Sequence, residues 1–419
     1  MLLLKGGQVY GELLQSSDIL IKNGKVADIS QNIPETDEMT VLNVSGLFVA
    51  PGLVDMHVHF RDPGYEYKED ILTGAVAAAA GGVTTCCCMP NTFPIADNAE
   101  TIRYIVDKAK SASVNVLPYG AVTIGQEGRE LTDFAALKTA GAVALSDDGN
   151  PIQSAEIMRR AMQLARELGL LIISHCEDAE MVKNYGVNEG AVSRKLGIPG
   201  RPAIAEEIMV ARDAMLAAQT DARVHIAHVS TAGSVDIIRK AKAAGINITA
   251  ETCPQYFTLT EDEVLRQGTT ARVNPPLRTA DDVAAIIRGL SDGTIDAIAT
   301  DHAPHSAGEK AVPLEKALSG MIGLETSLAI ALKFLYHTGE MSLDKIIALM
   351  SVNPARILGI NAGTLEVGSN ADIVIFDLDE GWIVDPNQFK SKARNTPFAG
   401  MNLRGKVKYT IFRGEIVKS

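Results

Sequence analysis

The chain has 419 residues, of which 46% are hydrophobic and 21% are charged, so it is long enough and apolar enough to bury a large core. Its 51 acidic residues outnumber its 39 lysines and arginines, and a formal net charge of −12 argues against a nucleic-acid-binding protein, which needs a basic surface to contact phosphates. No apolar run reaches the ~18 residues that span a bilayer, and the apolar start of the chain is too short for a secretory signal. We therefore predict a cytoplasmic protein that binds neither membrane nor nucleic acid.

The two ends of the chain share one pattern. Residues 1–50 and 356–419 contain short runs rich in valine, isoleucine and leucine, interrupted by glycine and asparagine turns. This pattern is typical of antiparallel strands. We therefore predict a single β domain built jointly from both ends, which brings the termini together.

The middle of the chain, residues 51–355, has a different pattern. Short apolar runs alternate with segments of helical periodicity, which is typical of βαβ units around a parallel sheet. Eight such units favour an α/β fold of the (β/α)8 TIM barrel type over an open sheet. The eight predicted strands cover residues 53–60, 83–89, 114–122, 142–146, 171–175, 224–229, 247–251 and 295–300.

The eight histidines of the chain are concentrated near these strands. We expect six of them at or just beyond the C-terminal strand ends, where the active site of a TIM barrel forms. A single histidine in such a place often does no more than satisfy a local hydrogen bond, but the whole set indicates a site. The six are His57, His59, His175, His225, His228 and one of the pair His302 and His305, since we expect only one of these two to point inward.

His57 and His59 are the most informative pair. Side chains two positions apart on a strand face the same way, so both imidazoles project into the barrel mouth and can share one metal ion. Asp55 faces the same side at a deeper level, where we expect it to orient an imidazole. The pair alone is weak evidence for a site, but its flanking sequences PGLVD and FRDPG make it strong.

Carboxylates follow the fourth and eighth predicted strands. Asp147 and Asp148 lie in LSDDGN, where one of them could bridge two cations or the pair could form an ordinary turn. Asp301 lies in IATDHAPH, where it could be a metal ligand or the group that carries a proton during catalysis. Carboxylate and imidazole ligands together suit Zn²⁺.

Further polar residues on the same loops could hold a substrate. Arg61 could form a bidentate pair with a carboxylate. Each of these residues could equally be an ordinary loop residue, and only their shared face of the barrel favours a binding role. The set is Arg61, Asn91, Asn274 and His305.

These residues resemble the amidohydrolase superfamily of metal-dependent hydrolases, and in particular the class I bacterial dihydroorotases, over essentially the whole chain. Several of the shared motifs are long and rare, which makes a chance match implausible. They are PGLVDMHVHFRDPG at 51–64, MPNT at 89–92, SDDG at 146–149, SHCED at 174–178, HIAHVST at 225–231, NPPLR at 274–278, ATDHAPH at 299–305 and NTPFAG at 395–400.

The resemblance implies a metal-binding barrel with a small β-sandwich, and zinc as the cofactor, with one or two ions per subunit. Many relatives bridge the two ions with a carbamylated lysine after the fourth strand, which this sequence lacks. The resemblance assigns the bridge to Asp148 instead, with Asp147 as the alternative. It implies one zinc held by His57, His59 and Asp301, and a second held by His175 and His228.

The implied reaction is the reversible cyclisation of N-carbamoyl-L-aspartate to (S)-dihydroorotate, the third step of de novo pyrimidine biosynthesis, with Asp301 as the proton carrier. Relatives often have Phe-Gly at 319–320 where this chain has Ser-Gly, which leaves the details of ring contact open. The resemblance implies that the substrate is held by His59, Arg61, Asn91, Asn274, His305, Ser319 and Gly320.

The resemblance also implies a homodimer and an association with aspartate carbamoyltransferase. Two alternatives remain from the sequence. Another cyclic-amide hydrolase, such as a hydantoinase or allantoinase, is disfavoured by the missing lysine and by Arg61. A catalytically silent scaffold is disfavoured because the four histidines of the implied metal site are all present.

Overall fold

The computed structural model describes residues 1–11, 16–183 and 186–418. Two sheets occur in these ranges, one central and parallel and the other mixed. Their strands are β1 (Leu2–Val9), β2 (Ser16–Lys22), β3 (Lys25–Ser30), β4 (Thr40–Asn43), β5 (Phe48–Pro51), β6 (Leu53–Val58), β7 (Val83–Cys88), β8 (Asn115–Gly120), β9 (Ala144–Ser146), β10 (Ile172–Ser174), β11 (Val224–Ile226), β12 (Ile248–Thr252), β13 (Ala297–Ile298), β14 (Ile373–Ile383), β15 (Asn402–Phe412) and β16 (Glu415–Lys418).

Helices follow most of the barrel strands. None of the helices in the described part of the chain is long and apolar enough to cross a membrane. They are α1 (Ile71–Ala80), α2 (Ala99–Ala109), α3 (Phe134–Ala140), α4 (Ala155–Leu168), α5 (Ala179–Val182), α6 (Ala191–Leu196), α7 (Ile204–Thr220), α8 (Ala232–Ala243), α9 (Glu263–Gln267), α10 (Ala280–Asp292), α11 (Ala307–Lys310), α12 (Ser327–Ala331), α13 (Leu343–Ile347) and α14 (Asn353–Leu358).

Helix α4 shows how local sequence specifies these elements. The hydroxyl of Ser154 accepts a hydrogen bond from the amide of Ile157 and caps the first turn. Gly169 ends the helix with a φ angle of 65°, a conformation that glycine adopts at little cost. The helix buries one apolar face, which consists of Met158, Ala161, Met162 and Ala165.

Strands β6 to β13 form an eight-stranded sheet in which each strand pairs in parallel with its neighbour in chain order. The sheet nearly closes on itself, because Val58 at the end of β6 pairs with His302, which follows β13. The amide of His59 also donates to the carbonyl of His302 at 2.9 Å. This arrangement confirms the TIM barrel that the alternating pattern predicts.

Some barrel strands are shorter than predicted. Strand β11 ends at Ile226, although the predicted strand covers 224–229 and so includes His228. The φ angles of His228 and Asp301 are 34° and 48°, in the left-handed region through which a strand cannot continue. The prediction that His228 lies within a strand is therefore wrong, and its side chain is presented by the loop that follows β11.

The second sheet is built from both ends of the chain, as predicted. Its strand order is β16-β15-β14-β5-β1-β2-β3, and β4 pairs with β1. The pairing that joins the two ends is antiparallel, between β14 and β5. Its separate apolar core includes Leu4, Ile19, Val49 and Ile373. The domain boundaries at 1–50 plus 356–419, with a catalytic barrel domain over 51–355, stay a prediction.

Candidate active site

A cavity of about 180 Å³ opens at the C-terminal ends of the barrel strands, where the sequence places the site. It brings together every predicted site residue except His57, which is fully buried beneath it. The lining residues are His59, Arg61, Asn91, Asp148, Gly149, His175, His228, Asn274, Asp301, Ala303, His305, Leu318, Ser319 and Gly320.

His57, His59 and Asp301 form one potential metal-binding group, with their ligand atoms all within 4.8 Å of one another. Nε2 of His59 lies 3.0 Å from Oδ1 of Asp301, and Nε2 of His57 lies 3.6 Å from the same oxygen. The two imidazoles come from the end of β6, and the carboxylate comes from the loop after β13, which lies beside β6 in the nearly closed barrel.

The carboxylate of Asp148 lies among four imidazoles. Its Oδ1 is 3.5 Å from Nε2 of His57, 3.3 Å from Nδ1 of His175 and 3.5 Å from Nε2 of His228. Its Oδ2 is 3.5 Å from Nε2 of His59. A second potential metal-binding group consists of His57, Asp148 and His228. The Asp148 carboxylate therefore lies between the pair His57 and His59 and the pair His175 and His228.

The chemistry of these residues fits a metal ion. Nε2 of His57 is buried and has no hydrogen-bond partner among the described residues, although it faces the carboxylates of Asp148 and Asp301. A buried polar atom left without a partner is costly, and a cation between these groups would satisfy it. Imidazole nitrogen and carboxylate oxygen are ligands that Zn²⁺ and similar ions accept. The cluster can thus hold a metal ion.

The charges in the cluster also favour a bound metal ion. Burial alone lowers the pKa of His57, but Asp148, Glu251 and Asp301 outweigh burial and raise that pKa well above its usual value. Burial opposes ionisation of Asp148, but His57, His175 and the other imidazoles hold the pKa of its carboxyl well below its usual value. An ionised carboxylate in this buried place needs positive charge beside it.

Asp147 has a different role in the structure from its neighbour. Its carboxylate accepts hydrogen bonds from the amides of Val122 and Thr123, at 2.8 and 3.1 Å, and from the Thr123 hydroxyl. Burial raises its pKa to about 6. Its side chain therefore ties the loop after β9 to the loop after β8, whereas the side chain of Asp148 faces the histidines.

Three residues that line this cavity have strained backbone conformations. Arg61, His228 and Asp301 have φ angles of 62°, 34° and 48°, which non-glycine residues rarely adopt. Such strain persists only where the surrounding structure holds it, and it is frequent at functional sites. In this backbone conformation the side chains of all three residues reach the cavity.

The other histidines near the barrel strands differ in whether they line the cavity. His305 lines the cavity, and its Nε2 donates to the carbonyl of Ser319 at 2.8 Å. His302 turns away, with its Nδ1 accepting from the amide of Gly323 at 3.2 Å. His225, which the sequence groups with the strand-end histidines, lies within β11 and does not line the cavity.

The residue that orients His57 is not the one predicted. Asp55 accepts from the backbone amide of His57 at 3.1 Å and from the hydroxyl of Thr300 at 2.6 Å, so it joins β6 to the end of the eighth strand and does not contact an imidazole. The ring is held by Glu251, whose Oε1 lies 2.8 Å from Nδ1 of His57. A glutamate within the buried strand β12 is the signal that could have revealed it.

Sequence reasoning also missed an ion pair at the edge of the cavity. Nη1 of Arg201 donates to both carboxylate oxygens of Glu177 at 2.9 Å, and it also contacts Oδ1 of Asn274. Glu177 lies 3.5 Å from Nε2 of His175. The ion pair therefore contacts Asn274, a predicted substrate-binding residue, and His175, a predicted metal ligand. In the sequence, Glu177 within SHCED was the one sign of this pair.

A family model, curated relatives and solved structures all match this chain. A family model described as "Dihydro-orotase-like" matches residues 46–234. The dihydroorotase of Acetivibrio thermocellus is 49% identical over 99% of this chain and 98% of its own length, and that of Pelotomaculum thermopropionicum is 51% identical over 99% and 98%. The solved structure of L-hydantoinase (dihydropyrimidinase) from Arthrobacter aurescens matches with a TM-score of 0.89 at 28% identity, covering 100% of this chain and 96% of that one.

The barrel and its cluster of histidines and aspartates define a cyclic-amide hydrolase of the amidohydrolase type, a class whose members depend on metal. Within that class the relatives are more specific. The chain belongs to the dihydroorotase family.

Proposed function

We propose that this chain catalyses the zinc-dependent, reversible cyclisation of N-carbamoyl-L-aspartate to (S)-dihydroorotate, the third step of de novo pyrimidine biosynthesis. One observation carries the proposal: a single cavity places a cluster suited to metal beside the guanidinium of Arg61. The cluster suits a cyclic amide, and the guanidinium suits the carboxylate that distinguishes dihydroorotate from a plain dihydropyrimidine.

Zinc is the metal we propose, because the ligands are imidazoles and carboxylates on a hydrolase. When bound, zinc supplies a Lewis acid that polarises the amide carbonyl and makes water nucleophilic near neutral pH. His57, His175 and His228 hold the pKa of the Asp148 carboxyl well below its usual value, which suits it to bind metal. We assign one ion to His57, His59 and Asp301 and the other to His175 and His228, with Asp148 between them.

We propose that Asp301 moves the proton. In the hydrolytic direction water adds across the ring amide, its oxygen bonding to the carbonyl carbon while the C–N bond breaks. Asp301 takes the proton from the water and delivers it to the departing ring nitrogen. Its carboxylate lines the cavity and belongs to the cluster, 3.0 Å from Nε2 of His59, where a bound metal ion would activate the water.

The other lining residues are proposed to hold the substrate. Burial, with Arg61 and Lys310 nearby, lowers the pKa of His305 to about 3, so its ring is neutral at pH 7. Arg61 is the one lysine or arginine among the described residues that line the cavity, so it provides the positive charge for the substrate carboxylate. Asn91 and His305 assist it, and the ring is contacted by His59, Asn274, Ser319 and Gly320.

The direct test is a spectrophotometric assay of purified protein with L-dihydroorotate, before and after chelation and after zinc is restored. We expect hydrolysis that is lost with the chelator and returns with zinc. Hydantoin and dihydrouracil, which lack the carboxylate, serve as comparison substrates. Faster turnover of either of these than of dihydroorotate, or no turnover by zinc-loaded protein, would contradict the proposal.

Replacing Arg61 with methionine is expected to raise KM for dihydroorotate by about 10- to 100-fold, because a charge-assisted hydrogen bond of roughly 1.5–3 kcal/mol is lost. The effect on kcat and on the unfolding temperature should be small. Arg160→Met, on the exposed face of α4, is the matched control and should leave KM unchanged. An unchanged KM in Arg61→Met would place the carboxylate clamp elsewhere.

We also propose a homodimer, supported by an exposed apolar face on α7. Ile204, Ile208 and Met215 are 47%, 42% and 72% exposed, and they follow one side of the helix at spacings of four and seven residues. Such a stripe is typical of contact surfaces. For association with aspartate carbamoyltransferase the family resemblance is the support. Light scattering of the protein alone, and mixed with that enzyme, measures both.

A further inference from the structure

A row of hydrogen-bonding side chains lies inside the barrel, beneath the cavity. Oε1 of Glu251 is 2.8 Å from Nδ1 of His57, and its Oε2 is 3.3 Å from Nε2 of His225. Nδ1 of His225 is in turn 2.8 Å from the hydroxyl oxygen of Thr249. Glu251 is 1% exposed and both histidines are fully buried, so these contacts lie out of reach of bulk solvent. The row joins β6, β11 and β12 through their side chains.

The protons of the row can be arranged so that Nε2 of His57 is left to bind a metal ion. In that arrangement the hydroxyl of Thr249 donates to Nδ1 of His225. Nε2 of His225 lies 3.3 Å from Oε2 of Glu251, an ion-pair distance without hydrogen-bond geometry. Nδ1–H of His57 donates to the other oxygen of the same carboxylate. A metal ion bound at Nε2 of His57 would use the lone pair of that nitrogen, which leaves the one ring proton of His57 at Nδ1, facing Glu251. Nε2 is the nitrogen that faces Asp148 and Asp301 and has no partner among the described residues.

We propose that Glu251 is a positioning residue for the metal site: it selects the tautomer and ring orientation of His57, and His225 and Thr249 hold it in place. The inference rests on the metal binding in the proposed function. No ligand in the proposed set comes from β12, so this strand acts on the site through Glu251. Asp55 cannot supply the same contact, because its carboxylate is engaged by the backbone of His57 and by Thr300.

The chemistry explains why a carboxylate is needed at this place. Burying an ionised carboxylate is costly. The hydrogen bond with Nδ1 of His57 offsets part of that cost, and His225 lies at ion-pair distance from the other oxygen. In return the charge of the carboxylate makes the imidazole of His57 a stronger ligand through the opposite nitrogen. Outer partners of this kind usually change metal affinity by ~10–100-fold when removed.

The test compares Glu251→Gln and Glu251→Ala with the unaltered protein. Glutamine keeps the size and one hydrogen-bond acceptor but removes the charge, and alanine removes both. We expect the dissociation constant for Zn²⁺, measured by competition with a chromogenic chelator, to rise about 10-fold for Glu251→Gln and about 100-fold for Glu251→Ala. Glu325→Gln is the control, since this carboxylate accepts the amides of Lys390 and Ser391 away from the cavity.

The outcomes separate a positioning role from a structural one. A fall in the unfolding temperature of the metal-free variants with no change in zinc affinity would overturn the inference. If Glu251→Ala does not fold, the isosteric Glu251→Gln decides alone. Dihydroorotate turnover of the unaltered protein is measured in parallel: its absence in zinc-loaded protein would contradict the proposed reaction, whereas unaltered zinc affinity in Glu251→Gln would contradict only the role of Glu251.

Discussion

Replacing His57 with alanine is expected to abolish activity and to remove at least one metal ion per subunit. His57 belongs to both potential metal-binding groups, so its loss removes a ligand from each. Alanine offers no donor atom in place of the imidazole. Metal content per subunit, measured by elemental analysis after gel filtration, checks the expectation together with the dihydroorotate assay.

The same substitution is expected to lower the free energy of unfolding of the metal-free protein. Glu251 loses its closest partner, at 2.8 Å, and an unsatisfied buried charge of this kind costs about 1–3 kcal/mol or more. His302→Ala is the matched control, because His302 is equally buried and follows Asp301 but faces Gly323 and Glu69. That variant should keep its metal. A fully metallated and active His57→Ala protein would refute the assignment of this ligand.

Much of the barrel could be predicted from the sequence because each of its units is encoded locally. A buried parallel strand is a short apolar run, and the helix after it carries its own caps and apolar face, as α4 does between Ser154 and Gly169. The joint β domain was predictable for the same reason, from turn residues between short apolar runs. Pairing of β5 with β14 then follows from the need to bury both.

The strand ends could not be predicted, because they depend on contacts outside the strand. His228 is two residues beyond β11 and has a positive φ angle, which its own sequence does not require. Packing of its ring against His57 and its 2.8 Å contact with Nδ1 of His175 hold it there. These partners belong to other barrel units, so a local sequence pattern cannot reveal the contacts.

Residues that support the site were missed for a related reason. Glu251 meets His57 across 194 positions of sequence, and Arg201 meets Asn274 across 73. Asp55 is only two residues from His57, so the period of a strand made it the natural candidate for orienting that ring. The side chain instead bonds to backbone amides, since a carboxylate two residues away on the same strand lies close to the amide of His57, at 3.1 Å.

Asp147 and Asp148 were inseparable in the sequence, and their substitution by asparagine is expected to separate them sharply. Asp148→Asn removes the one ionised group that faces all four imidazoles. We expect activity to fall by at least about 100-fold, because even changes in groups that only support a ligand cost ~10–100-fold. Zinc stoichiometry should fall with it, since a neutral amide cannot offset two adjacent cations.

Asp147→Asn is the matched variant, one residue away and equally buried. Its amide oxygen can still accept from the amides of Val122 and Thr123, so only about 1 kcal/mol of stability should be lost, with zinc stoichiometry unchanged. Stability is measured by urea unfolding of metal-free protein and metal content by elemental analysis.

The reverse pattern, with metal lost from Asp147→Asn and kept by Asp148→Asn, would move the bridge to Asp147. It would also require the loop after β9 to turn its two carboxylates over when metal binds, because in the structure Asp147 is held by three hydrogen bonds that face away from the histidines.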